Sequence, residues 1–99
     1  MGTGYVGILS IELLFPEAGS LKGKRTHVKS AKAQLQNRFG ASVAEVDHHD
    51  LWQRAGLAAA IVAREHRELV ELLDSAERYL SVQEYELVRA ERSIVRIDD

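Results

Sequence analysis

Between Ala18 and Ala44 the chain carries six cations (Lys22, Lys24, Arg25, Lys29, Lys32 and Arg38) and no acid. Clustered lysine and arginine are the residue types that neutralise phosphate. On a helix turning about 100° per residue, Lys22, Arg25, Lys29 and Lys32 fall in one narrow arc, and Gln36 extends the row. Lys22, Lys24 and Arg25 crowd the start of that helix, where the peptide dipole is already positive. Each cation there loses roughly 0.3–1 kcal/mol relative to an anion. Gly23 in the same turn costs up to about 1 kcal/mol relative to alanine. A segment that breaks local rules in this way is a candidate for function. Free N–H groups at a helix start beside three cations suit a phosphate. The expected anion-binding residues are Lys22, Lys24, Arg25, Lys29 and Lys32. The same row would also serve as a solvated basic face offset by acids elsewhere, and the sequence leaves both readings open.

A second constellation lies in Ser42–Ala55, SVAEVDHHDLWQRA. Two apolar, strand-like runs meet there across Asp47, His48, His49 and Asp50. Four consecutive polar residues describe a turn, and adjacent strand residues point to opposite faces, so no metal site is expected. Trp52 and Arg54 flank Gln53 and are expected to share one sheet face with Glu12. That face resembles the stacking surface of RNA-recognition modules. The aromatic motifs of those modules are missing, however, and packing of Trp52 with pairing of Arg54 to Glu12 is the favoured reading. No nucleophile with an assigned base is legible, and no catalytic residue is assigned. No phosphate-loop, dinucleotide, nucleophile-elbow or zinc-protease motif occurs, and neither a cofactor nor a small-molecule substrate is expected.

Ninety-nine residues suit one domain, 1–99, with a modest core. Cysteine is absent, which excludes disulfides, thiolate metal sites and thiol catalysis. No apolar run approaches a membrane span and no secretory leader is visible, so a soluble cytoplasmic protein is expected. The net charge of −2 is unevenly spread. From Arg64 to Asp99 six arginines face ten acids, a net of −4. One basic segment in an acidic chain points to a local anionic partner rather than indiscriminate polyanion binding.

The elements that must hold these residues follow from periodicity. Tyr5–Phe15 alternates, with Leu9, Ile11, Leu13 and Phe15 on one face, and Pro16 ends the strand. Ser20 is an N-cap for a helix reaching about Arg38, with Gly40 as its stop. Leu21, Val28, Ala31, Leu35 and Phe39 form its buried stripe. Ser42–Val46 and Leu51–Val62 read as strands. Arg64–Leu80 reads as a helix with Leu69, Val70, Leu73, Ala76 and Leu80 inside, and with an Asp74–Arg78 pair outside. His66, at its head, is expected to be a half-buried packing residue. The chain from Ser81 returns to strand, with a bulge or break expected at Ala90–Arg92. The order β-α-β-β-α-β predicts an α+β, ferredoxin-like fold. It has a four-stranded antiparallel sheet with both helices on one face and the first and third strands central. The other face would show Ile8, Ser10, Glu12, Trp52, Arg54 and Ala58. Its apolar content, with Leu14 and Val62, points to a homo-oligomer.

Ser20-Leu21-Lys22-Gly23-Lys24-Arg25, Asn37-Arg38-Phe39, Ser42–Val46 and Asp50-Leu51-Trp52-Gln53-Arg54-Ala55 together resemble the YlxP-like family of small bacterial proteins. The resemblance runs from Tyr5 to Leu87. It implies a ferredoxin-like fold, a role not yet defined and no established catalytic residues. Family genes commonly neighbour those for translation initiation factor 2 and ribosome-binding factor A. The resemblance therefore implies a link to translation or ribosome assembly, with ribosomal RNA or a ribosomal subunit as partner. Gly23 stands where the family often has an acid, which makes the helix start here more positive. The expectation is a non-enzymatic protein contacting RNA phosphate through its first helix. The alternative is a self-associating adaptor that uses the open sheet face.

Overall fold

Alternation in the first strand puts Leu9, Ile11, Leu13 and Phe15 into a single core, all buried. A computed structural model describes residues 2–98. Its elements run β1 (Gly4–Leu14), α1 (Leu21–Phe39), β2 (Ser42–Asp47), β3 (Arg54–Ala63), α2 (His66–Ser81) and β4 (Glu86–Ile97). The four strands form one antiparallel sheet in the order β2-β3-β1-β4, and the fold is ferredoxin-like α+β. Helix α1 lies over β2 and β3, and α2 over β1, β3 and β4. From β3, Ala55, Leu57, Ala59, Ile61 and Ala63 complete the floor of the core, and Leu69, Leu73, Ala76 and Leu80 of α2 roof it.

Local chemistry sets the ends of the elements. Phe15 to Ala18 closes a turn, with the Ala18 N–H donating to the Phe15 carbonyl at 3.1 Å. The Ser20 hydroxyl accepts from the Gly23 N–H at 3.1 Å, a cap worth about 1 kcal/mol. Gly40 adopts the left-handed conformation, φ 66°, and its N–H closes the helix onto Gln36.

Four expectations are corrected. β3 begins at Arg54, not Leu51, so Leu51–Gln53 belong to the connection. β4 is one continuous strand whose register shift falls at Val88, between the Arg89–Glu12 and Leu87–Leu13 pairs, not at Ala90–Arg92. Asp74 does not pair with Arg78: Asp74 (3.0 Å) and Glu77 both hold Arg92 of β4, and Arg78 donates to Ser75 Oγ. Glu77 and then Asp74 push the Arg92 guanidinium pKa above its ordinary value, so this clamp stays charged wherever the carboxylates are. His66 is exposed, and its ring meets Tyr5 edge-on at 5.5 Å.

Beside the first turn, Phe15 is stacked on His27 at 5.4 Å and meets Tyr85 edge-on at 5.6 Å. Burial, and after it the neighbouring Tyr79, pushes the Tyr85 phenol up to about 12 from 10.0. A raised phenol pKa favours the protonated fold. Its stabilising contribution is therefore complete below pH 10 and is lost as pH rises through about 12. In an ultraviolet titration, Tyr85→Phe is expected to remove a phenolate step near pH 12.

Candidate functional site

The helical spacing of α1 sorts its cations into two populations. Lys22, Arg25 and Lys29 are exposed and Lys32 is half-exposed. None of the four makes an ion pair among the described residues. No acid in the first turn balances them. Arg38 is spoken for: it bonds Gln34 at 2.9 Å and lies 4.5 Å over the Tyr79 ring.

Lys24 departs from the expected anion-binding set. It is only 2% exposed, its ammonium lies 2.9 Å from Glu45 Oε2 on β2, and it donates to the His48 carbonyl at 2.5 Å. The physical reason is its place on the helix. Lys24 precedes Val28, Ala31 and Leu35 by four, seven and eleven residues, the spacing of the buried stripe. Its ammonium is committed inside the fold and ties α1 to the β2–β3 corner.

Three of these four cations, all but Lys22, rim a groove of about 510 Å³ between α1 and the edge strand β2. Arg25, Lys29 and Lys32 stand along one wall, Leu21 and Val28 line it with apolar surface, and Glu45 and His49 come from the β2 side. The Lys24–Glu45 pair also belongs to the lining. Counting Lys24 against Glu45, the groove carries a net charge of +3 with histidine neutral.

The polar corner is a turn with several internal ties. His48 is the one non-glycine with positive φ, 60°, among the described residues. Its N–H donates to Asp47 Oδ1 at 2.8 Å, its carbonyl accepts from Lys24, and the Leu51 N–H closes back on that carbonyl at 3.2 Å. These contacts offset the cost, on the order of 1 kcal/mol, of a left-handed residue other than glycine. His48 Nε2 lies 2.7 Å from Glu12 Oε1, and the other Glu12 oxygen accepts from Arg54 at 2.7 Å. A carboxylate accepts only, so Nε2 carries the proton. Register places Gly56 between Glu12 and Asp47, and an added Cβ there would meet Asp47 Cβ at 2.8 Å. The glycine is what allows this corner to close over the sheet.

Of the expected sheet-face trio, Glu12 and Arg54 meet, and Trp52 does not join them through strand alternation. It precedes β3, is 52% exposed, and lines a shallow depression with Asp50, Leu51, Gln53 and Arg54. Among the described residues no group of three His, Cys, Asp or Glu side chains converges as metal ligands would. His27 is occupied by its stack on Phe15. No described helix is long and apolar enough to cross a membrane.

Sequence reasoning missed the Lys24–Glu45 pair and the Glu12–His48 contact. The inward position of Lys24 was legible from the apolar stripe, but its partner on β2 was not. The second depends on the left-handed turn at His48, for which the sequence carries no local signal.

The description of a protein of unknown function (DUF503) matches residues 6–92. That reaches past the Leu87 limit of the resemblance drawn from motifs. The uncharacterized protein YlxP of Bacillus subtilis (strain 168) is 36% identical over 58 residues, 59% of this chain. The aligned part covers 63% of that relative's length. A match over most of the chain, on a fold with the expected element order, is decisive: the protein belongs to the YlxP-like family of proteins of unknown function (DUF503).

Proposed function

We propose that the protein is a non-enzymatic, cytoplasmic RNA-binding factor of translation or ribosome assembly, with α1 as its contact to RNA phosphate. The observation that carries this reading is the row Lys22, Arg25, Lys29 and Lys32: four cations on one rigid helix, without acidic partners among the described residues. Ribosomal RNA or a ribosomal subunit is the proposed partner because of the family's gene neighbourhood. The helix start adds N–H groups that favour anions. His48 and Glu12 act as a structural lock rather than as an acid–base pair, since Arg54 and the turn hold both. The test is sucrose-gradient sedimentation of a lysate at low and high salt. Travel with ribosomal subunits at low salt, lost at high salt, is expected. A protein that stays at the top of the gradient and binds no ribosomal RNA at low salt would overturn the reading.

The exposed face of the sheet favours a second reading, a self-associating adaptor. Val62 is 66% exposed and Val95 50%, and Ile8 and Ile97 lie on the same face. Such apolar surface is covered in many proteins by a partner. A homodimer or larger assembly is the expected result of light scattering, and a monomer across a broad concentration range would count against shared use of this face.

A further inference from the structure

We infer that the groove between α1 and β2 takes one unpaired base of a single-stranded RNA, and that Glu45 reads an amino group on that base. The inference rests on the phosphate-binding role proposed for α1 and adds a ligand class to it. A site for phosphate alone would need only the exposed rim. Here the rim of Arg25, Lys29 and Lys32 borders a groove of about 510 Å³ whose lining is apolar at Leu21 and Val28. A duplex keeps its bases stacked and paired inside, so it can offer the rim only its backbone. A single strand can turn a base inward while its phosphates stay on the lysines.

The groove also holds a carboxylate, a group that would repel phosphate. Glu45 Oε2 is buried 2.9 Å from the Lys24 ammonium, and neither Glu45 carboxylate oxygen accepts a hydrogen bond among the described residues. The side chain is 23% exposed, so its acceptor capacity is reachable from the groove. Lys24 holds this carboxylate in place from inside. A fixed acceptor beneath a cationic rim matches a base edge that donates, as the amino group of cytosine does to a carboxylate. Uracil, of the same size, presents a carbonyl oxygen at that position and meets Glu45 with acceptor against acceptor.

Fluorescence anisotropy with labelled oligocytidylate, oligouridylate and a duplex of equal length tests this. Oligocytidylate is expected to bind about tenfold more tightly than the other two. Glu45→Gln, whose amide oxygen can still face Lys24, is expected to bring oligocytidylate and oligouridylate together with the salt dependence unchanged. Because Glu45→Gln could disturb the Lys24 contact, Ala33→Leu provides an independent arm. Ala33 lines the groove away from the ion pair, and leucine there should cut oligocytidylate binding about tenfold and leave duplex binding alone. Equal, salt-dependent binding of all three ligands would overturn the base pocket and leave the phosphate role standing. Salt-dependent binding with an unchanged cytosine preference in both variants would place the reading residue elsewhere. No binding of any of them at low salt would overturn both.

Discussion

Replacing Lys24 with methionine is expected to lower the unfolding free energy by about 3 kcal/mol, while leaving the salt dependence of RNA binding unchanged. Methionine keeps most of the apolar stem, so packing changes little. What disappears is the ammonium beside Glu45 Oε2 and one of two donors to the His48 carbonyl, which leaves a shielded carboxylate without its partner and the turn carbonyl with the Leu51 N–H alone. Removing one member of a buried pair costs about 3–5 kcal/mol, and the residual solvent access of Glu45 puts the effect at the lower end. In a domain of this size that is a fall of about 15 °C in Tm. A second substitution, Glu45→Met in the same chain, is expected to recover much of the loss, because two apolar groups replace two charges. Urea titration of the four proteins of this cycle measures it. A loss under about 0.5 kcal/mol for Lys24→Met, typical of a surface lysine, would show that the ammonium is not holding the corner.

The outer lysines are expected to behave in the opposite way. Lys29→Ala with Lys32→Ala should weaken RNA binding roughly tenfold or more at low salt. It should also flatten log affinity against log salt by about 0.7–0.9 per lost contact. Stability should move by less than about 0.5 kcal/mol, since alanine suits a helix and neither lysine has an ionic partner among the described residues. Trp52→Ala should affect RNA affinity less than either lysine. If Trp52 controlled affinity and the lysines were silent, the contact would lie on the sheet side of the corner instead. The Lys24 and Lys29/Lys32 experiments together separate a structural cation from binding cations on one helix.

That separation marks how far sequence alone carries. Alternation at Leu9, Ile11, Leu13 and Phe15, the cap at Ser20 and the left-handed stop at Gly40 are decided by neighbouring residues, and each appears where local chemistry puts it. The same periodicity that arranges Val28, Ala31 and Leu35 also places Lys24 among them. Charge alone assigned it to the surface, because a buried lysine becomes reasonable only once Glu45 is known to lie opposite. Trp52 lies outside β3 because the ladder with β1 opens at Arg54, extended by a single bond from the Phe15 N–H to the Gln53 carbonyl at 2.7 Å that stops short of Trp52. The Arg92 clamp and the shift at Val88 depend on β4 meeting α2 and β1 across long sequence separations. Nothing in a window of ten residues encodes either.

The strand order β2-β3-β1-β4 has a consequence for how the chain comes to be folded. Cut at the corner, each half is one strand, one helix and one strand, yet its two strands are not neighbours in the sheet. All three ladders join the first half to the second. During synthesis no sheet hydrogen bond can form until β3 has left the exit tunnel. α1 therefore waits, bearing its unbalanced cations without a sheet to pack on. Two fragments meeting between His49 and Leu51 would each lack any internal pairing and would have to find each other to fold. Neither half contains a sheet ladder of its own, so order in the sheet requires both.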